Sequence, residues 1–354
     1  MPVFRCGLAS AAAVLLVTRA ALAEPSPPVP SISGFVQVAY HGELAKADPT
    51  REQLAPLRGY TPTGNTFVLH SAHIAIAHAF NENVSARVEV DAGYDAPRTA
   101  SYPFNDGMFD VQEAYATYQR GFFSLTAGKF AAYEGLEYIE GPLNPTVTRG
   151  YSFNIAEPNT HTGVKLHFTG DAVDLGIGLV NGWDVLIDNN SGKTAIWKLT
   201  LTPFQSLQLT FDGTFGPEQE HVSSEQRLSL DFNITWTANE HFSIAAQYNT
   251  GIDGIGGAAD KVRWSVLGAL LSYSGELFLL GARAELFHDP DGARTDLGAV
   301  DLLNLTLSPG LILAQGFKLR LELRADLASK KVFGNASDPE KRWVTGAVDA
   351  EYLF

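Results

Sequence analysis

The chain has 354 residues, 45% of them hydrophobic and 18% charged, with 25 basic against 39 acidic side chains and a formal net charge of −14. That acidity excludes nucleic acid as a partner, since a phosphate backbone is met by a basic face. The single cysteine, Cys6, has no lipoprotein-type box of small residues before it, so a lipid anchor, a disulfide framework and a thiolate metal site are excluded as well.

The N-terminus reads as an address. Arg5 precedes an apolar stretch at 8–17, and Ala21-Leu22-Ala23 fits a small-x-small cleavage site, so 1–23 is expected to be a removed signal peptide. The stretch is too short for a spanning helix, which needs roughly 20 apolar residues. The prolines from 25 to 30 predict an extended periplasmic leader over 24–31. Removal of Arg5 and Arg19 leaves the mature chain more acidic still. Further on, the nearest approach to a long apolar run, 264–280, is interrupted by Ser272, Ser274 and Glu276.

From residue 32 onward the hydrophobicity is carried by alternation, the signal of strands with two unlike faces. At 84–92, Val84, Ala86, Val88, Val90 and Ala92 oppose Ser85, Arg87, Glu89 and Asp91. At 225–237, Leu228, Leu230, Phe232, Ile234 and Trp236 oppose Arg227, Ser229, Asp231, Asn233 and Thr235. At 317–327, Phe317, Leu319, Leu321, Leu323 and Leu327 oppose Lys318, Arg320, Glu322, Arg324 and Asp326. The same reading gives sixteen strands in chain order: 32–42, 66–80, 83–92, 109–120, 122–131, 161–170, 172–182, 193–203, 205–215, 224–237, 241–250, 261–274, 276–288, 297–307, 316–328 and 342–354. The strands at 66–80, 261–274 and 297–307 carry apolar residues on both faces. Most are long enough for a tilted membrane strand, which needs roughly 9–11 residues, and longer than the usual soluble strand of about 5–6.

The connections alternate. Short turns fall near Asn81-Glu82, Gly121, Gly170-Asp171, Phe204, Ala238-Asn239, Gly275 and Gln315. Long loops fall at 43–65, 93–108, 132–160, 183–192, 216–223, 251–260, 289–296 and 329–341. Short turns at one end and long external loops at the other are the habit of transmembrane barrels. The fold expected is an all-β, antiparallel up-and-down barrel of about sixteen strands over 32–354, with both termini on the periplasmic side and a long third external loop.

Energetics decide which face meets lipid. A Lys or Arg facing hydrocarbon costs about 2–4 kcal/mol near the midplane, so Lys318, Arg320 and Arg324 together would consume much of a typical stability of about 5–15 kcal/mol. The charged faces must point inward, and a barrel of this size holding so many charges is wide enough for a wet channel. The last strand presents Val344, Gly346, Val348, Ala350, Tyr352 and Phe354 on one face. A final strand ending in an aromatic resembles the signal that outer-membrane barrels offer their assembly machinery.

Five short motifs carry a family likeness. They are Gln112-Glu113-Ala114-Tyr115, Ala127-Gly128-Lys129-Phe130, Tyr133-Glu134-Gly135, His161-Thr162-Gly163-Val164 and Asn181-Gly182-Trp183-Asp184. In this order and spacing the chain resembles the OmpL-like β-barrel porins, the family also called β-barrel porin 2. The resemblance implies a bacterial outer-membrane pore for passive diffusion of small hydrophilic solutes or ions, and no enzymatic activity. It supplies no substrate and no cofactor. General porins of this size resemble trimers, which makes a homotrimer a possible assembly.

The loop 132–160 is longer than the roughly 12–15 residues at which structureless loops become uncommon without a function. Its position resembles that of the third loop of general porins, which folds into the lumen. The loop carries Glu134, Glu137, Glu140 and Glu157, with Arg149, and is expected to form the acidic side of a constriction, with Glu134, Glu137, Glu140 and Arg149 as its candidate residues. Arg87, Lys165, Arg283, Lys318, Arg320 and Arg324, with Glu322 among them, are the expected lumen charges, and opposed charges of this kind would set a transverse field. The alternatives are a solvated lid, or a plugged lumen serving as enzyme or adhesin.

Other constellations read blandly. His70 and His73 have opposite parity and are expected on opposite faces, whereas His70 and His78 share a face at about 26 Å, and His161 and His167 at about 20 Å. None of these pairs makes a first-shell metal site. Residues 159–163 superficially resemble the histidine strand of outer-membrane phospholipases, but Gly163 stands where the nucleophilic serine would be needed. Asp289-Pro290-Asp291-Gly292 and Asp253-Gly254 lack the full EF-hand spacing and read as turns, with weak external calcium left open. Trp236, Trp264, Tyr248, Tyr273, Phe278 and Tyr352 are expected in interfacial girdles or in ordinary packing.

Overall fold

The structure, a computed structural model, describes residues 29–44, 56–104, 107–257, 260–335 and 338–354. The expected signal peptide and residues 24–28 of the expected leader lie outside the described residues. The alternating segments pair edge to edge into one closed antiparallel barrel of sixteen strands. In chain order these are β1 (Ser31–Glu43), β2 (Thr66–Ala79), β3 (Val84–Ala92), β4 (Phe109–Arg120), β5 (Phe123–Ala131), β6 (Thr160–Thr169), β7 (Val173–Val180) and β8 (Thr194–Phe204). They continue with β9 (Leu207–Gly216), β10 (Gln226–Asn239), β11 (Phe242–Ile255), β12 (Val262–Ser274), β13 (Phe278–Asp289), β14 (Val300–Ala314), β15 (Phe317–Ala328) and, last in the wall, β18 (Arg342–Leu353). A separate short hairpin, β16 (Phe333–Asn335) and β17 (Asp338–Glu340), lies in the connection before β18.

Every wall strand pairs with its neighbours in sequence, and β18 pairs with both β15 and β1. The seam ends at the last residue. Gly34 N–H donates to the Phe354 carbonyl at 3.1 Å, and Phe354 N–H donates to the Gly34 carbonyl at 3.0 Å. No strand edge is left open in the wall, which removes the unpaired donors and acceptors that hydrocarbon would not satisfy. The connections alternate as expected: turns of two to four residues at one end, and longer segments at the other.

The two faces separate by chemistry. On β10, Phe232, Ile234 and Trp236 are exposed while Ser229, Asp231 and Asn233 are buried. On β15, Leu321, Leu323 and Leu327 are exposed while Arg320, Glu322, Arg324 and Asp326 are buried. An apolar outer face and a charged inner face fit a wall solvated by lipid. Trp236, Tyr248, Tyr273, Phe278 and Tyr352 stand on the outer face.

Trp264 is a correction to the girdle. It is 1% exposed and points inward, its indole N–H 3.3 Å from both the Ala156 carbonyl and Asn249 Oδ1. Its β11 register partner is Gly251, where a Cβ would stand 1.9 Å from the indole ring. The missing side chain is what admits the tryptophan.

Two further departures have local causes. The expected strand 297–307 runs instead from Val300 to Ala314, through Pro309. Proline reads as a breaker because it has no N–H for the ladder. Here the Ser308 hydroxyl donates to the Leu321 carbonyl at 3.0 Å, opposite Pro309, and the strand continues. The histidine parities also change. His70 is the extra residue of a bulge, since Gln37 pairs with Ser71 and Val38 with Leu69. The bulge turns the alternation over, so His70 and His73 both point inward, each 3% exposed. His78 falls on the other face and stands edge-on to the Phe80 ring. A second bulge at Gln112, where Glu89 pairs with Glu113 and Val90 with Val111, brings Gln112 and Glu113 onto the inner face together.

Candidate functional site

The connection from β5 to β6, residues 132–159, runs through the barrel interior. It has little regular structure beyond a 3-10 turn at Gly141–Leu143 and one wide π turn at Ser152–Ala156. An irregular chain inside a barrel needs partners for its N–H and C=O groups, and the wall provides them. Arg283 Nη1 donates to the Thr148 carbonyl at 2.6 Å and to Thr146 Oγ1 at 2.8 Å. Arg320 Nη1 donates to the Asn144 carbonyl at 2.7 Å, Lys318 to the Pro142 carbonyl at 3.0 Å, and Arg324 Nη1 to the Arg149 carbonyl at 2.6 Å. Glu322 accepts from the amides of Val147 and Thr148 at 2.6 and 3.0 Å, and Glu285 from those of Tyr151 and Ser152 at 2.8 and 3.2 Å.

This arrangement gives the ladder of β13 and β15 a local reason. Cations on the wall hold carbonyls of the segment, and carboxylates hold its amides. The cations are balanced sideways as well. Arg320 lies 3.0 Å from Asp349 and 3.0 Å from Glu351, and Lys318 3.3 Å from Glu351. Asp326 takes Arg324 at 3.0 Å, Arg58 at 3.3 Å and the Tyr151 hydroxyl at 2.7 Å. Arg58 also lies over the Trp343 ring, 4.3 Å from its centroid. Burial, with Arg324 beside it, brings the Arg58 guanidinium down to about 10. Above these polar groups Tyr151, Ile155 and Ala156 pack with Trp264, Phe287, Leu302, Phe333 and Trp343 in an apolar core within the barrel.

The expected constriction residues are dispersed along the segment. Glu137 lies in direct contact with Arg283 at 2.7 Å, with no gap between the opposed charges. Glu140 accepts from Gln112 Nε2 at 2.8 Å on β4. Glu134 accepts from the Ser229 hydroxyl at 2.7 Å on β10. Arg149 is buried within the segment, donating to the Ile139 carbonyl at 2.7 Å and lying over the rings of Phe153 and Tyr60. Glu134 and Glu157 crowd against Asp231 and Asp212. Burial pushes Glu134 up to about 8, with Asp231 adding to the shift, and pushes Glu157 well above the carboxylate range.

The opposite wall is less covered. Arg87 is 38% exposed along its side chain and touches Glu89. Lys165 on β6 is half-buried, its Nζ 4.1 Å from the centroid of the Phe130 ring and 4.9 Å from that of Tyr133. Lys198 on β8 is half-buried too, 5.7 Å from the centroid of the same tyrosine. Lys198 escaped the sequence reading, and Tyr133 entered it only as part of a family motif, without a role. Lys198 has the inward parity of Thr194, Ile196 and Thr200, so alternation alone could have found it. Tyr133 carries no such signal, because its place depends on where the loop goes.

The shared motifs meet in space. Gly128 and Gly163 are register partners on β5 and β6, and a Cβ on Gly128 would lie 2.2 Å from the Ala114 carbonyl, so Tyr115 and its neighbours sit against bare backbone. Asp184 accepts from the amides of Asn159 and Thr160 at 3.0 and 2.8 Å and so fixes the end of the interior segment. Among the described residues no group of three or more His, Cys, Asp or Glu has metal-binding geometry. His161 is buried and its Nδ1 lies 2.9 Å from the Gly182 carbonyl.

A closed sixteen-stranded barrel, apolar outside and charged within, with a long connection laid across its interior, defines a porin-type channel of the bacterial outer membrane. The chain belongs to the family described as "Putative beta-barrel porin-2, OmpL-like", whose model matches residues 31–354. No curated protein sequence matches the chain. Solved structures share the fold at low identity. The outer membrane channel DcaP of Acinetobacter baumannii has a TM-score of 0.64 at 12% identity, over 92% of this chain and 97% of that one. The trimer form of OmpT from Vibrio cholerae has a TM-score of 0.61 at 12% identity, over 92% and 99%. An anion-selective porin from Comamonas acidovorans has a TM-score of 0.59 at 11% identity, over 92% and 99%.

Proposed function

We propose that the protein is a passive diffusion porin for small hydrophilic solutes or ions, whose path runs between the interior segment and the wall of β3 to β8. One observation carries this reading. Arg283 and Glu285 of β13 and Arg320, Glu322 and Arg324 of β15 are buried against the segment, whereas Arg87, Lys165, His167 and Lys198 on the facing strands keep partial exposure. A wet strip bounded by charged and aromatic side chains passes polar solutes by size and charge. The interior segment is then the third external loop and the narrowing element, with Glu134, Glu137, Glu140 and Arg149 acting through its placement. The working parts are positions in a passage, and none is assigned covalent chemistry; Gly163 stands where the phospholipase-like reading needs a nucleophile.

The surroundings follow from the same reading. The outer face meets outer-membrane lipid, and the strand ending at Phe354 presents itself to the barrel assembly machinery. The trimer form of the Vibrio OmpT supports a homotrimer. Purified protein reconstituted in a planar bilayer should give discrete, ohmic conductance steps. A folded barrel without conductance would turn the assignment to a plugged lumen, an enzyme or an adhesin on the same wall.

A further inference from the structure

The cations inside the barrel are not equivalent. Arg283, Lys318, Arg320 and Arg324 each hold a carboxylate or a segment carbonyl, and Lys129 is bonded to Asp110 at 3.2 Å. Lys165 and Lys198 differ. Among the described residues neither ammonium has a carboxylate within 4.0 Å. Both instead lie over aromatic rings, and both over Tyr133. The acids nearest in the wall act on the two lysines only from beyond contact distance. Glu113 accepts the Ala131 amide at 2.5 Å. Asp212, the register partner of Lys198, stands among Asp231, Glu134 and Glu157 without a hydrogen-bond partner, and Lys198 is its cationic neighbour beyond contact distance.

The wall between the two lysines is bare. Lys165 on β6 has Gly178 of β7 as its partner, and Lys198 on β8 has Gly176. No side chain of β7 therefore stands between them at those positions. Gly176 also seats the tyrosine: a Cβ there would lie 2.5 Å from the Tyr133 hydroxyl. That hydroxyl is buried and has no hydrogen-bond partner, which is costly unless something supplies one. His167 stands edge-on to the same ring, 6.2 Å from it, and is itself occupied by Asp174.

We propose that Lys165 and Lys198, with the hydroxyl of Tyr133, form a mid-barrel binding station for solutes carrying a carboxylate or phosphate oxyanion. The inference rests on the porin reading and names the solute class for the same passage. Two ammonium groups with no carboxylate in contact, lying over aromatic rings beside bare backbone, leave donors that a passing oxyanion can take up. The free phenol O–H adds one donor. Of the acids near the site, Glu113 accepts the Ala131 amide and Asp174 is paired with His167, while Asp212 has no hydrogen-bond partner and competes with an oxyanion for Lys198 from beyond 4.0 Å.

The test uses the full protein in planar bilayers under a KCl gradient, with succinate or inorganic phosphate added to one side. The wild type should give a reversal potential of the anion-selective sign, and one or both additions should interrupt the chloride current in proportion to concentration. Lys165→Gln and Lys198→Gln should each raise the half-blocking concentration about tenfold, as loss of a charge-assisted contact implies. The double variant should move the reversal potential toward cations, and Lys165→Arg with Lys198→Arg should restore it. Lys193→Gln, at an exposed site beside Asp188, should change neither. Heat-modifiable mobility confirms that each variant is folded. If succinate and phosphate both leave the wild-type current untouched, or the double variant keeps the wild-type potential and block, the station is refuted while the pore stands. If the folded wild type does not conduct, the pore itself fails and the station with it.

Discussion

Asp326 is the residue on which most buried charge converges. Arg324, Arg58 and the Tyr151 hydroxyl all meet it, and each is fully enclosed. Asp326→Ala leaves two guanidinium groups buried without their carboxylate, and the expected loss is about 3–5 kcal/mol. It should appear as a lower temperature for the folded-to-unfolded mobility shift on gels, with Ser329→Ala at the rim as an indifferent control. Glu134 gives a pH dependence. Its carboxyl is raised from 4.5 to about 8 in the fold, so the protein favours the neutral form. That advantage is complete below pH 4.5, declines as pH rises, and is gone above about 8. Wild type should therefore lose thermal stability relative to Glu134→Gln across that window, with a constant difference beyond it. A gap independent of pH would show that Glu134 is ionised in the fold throughout.

At the scale of elements, the strands were legible because lipid and water impose opposite demands on alternate residues. Arg320, Glu322 and Arg324 alternate with Leu321 and Leu323, and no other period fits both sets. What escaped was whatever breaks the period from outside the strand. The bulge at His70 depends on where β1 pairs, and Pro309 stays in its strand only because Ser308 serves the carbonyl opposite. The interior segment shows the same limit. Its length marked it, but its contacts join Val147 to Glu322 and Tyr151 to Glu285, residues far apart in the chain, and no local pattern encodes such meetings. Removing 136–148 should raise single-channel conductance, because the backbone pinned to β13 and β15 would be gone. It should also lower the melting temperature, since Arg283, Arg320 and Glu322 would lose their partners. Unchanged conductance would mean that the segment does not narrow the passage.

For the whole molecule, the wall exposes a continuous apolar surface that only lipid or another subunit can cover. If a homotrimer forms, light scattering in mild detergent should give three times the protomer mass, and the single-channel current should close in three equal steps. A single step with one protomer's mass would establish a monomeric channel. The seam between β1 and β18 has a further consequence in time. The first strand to leave the ribosome finds its second partner only when the final one has been made, so no partly synthesised chain can seal itself. A copy lacking β18 would keep two raw margins, on β1 and on β15, each a row of amides and carbonyls with nothing to pair with.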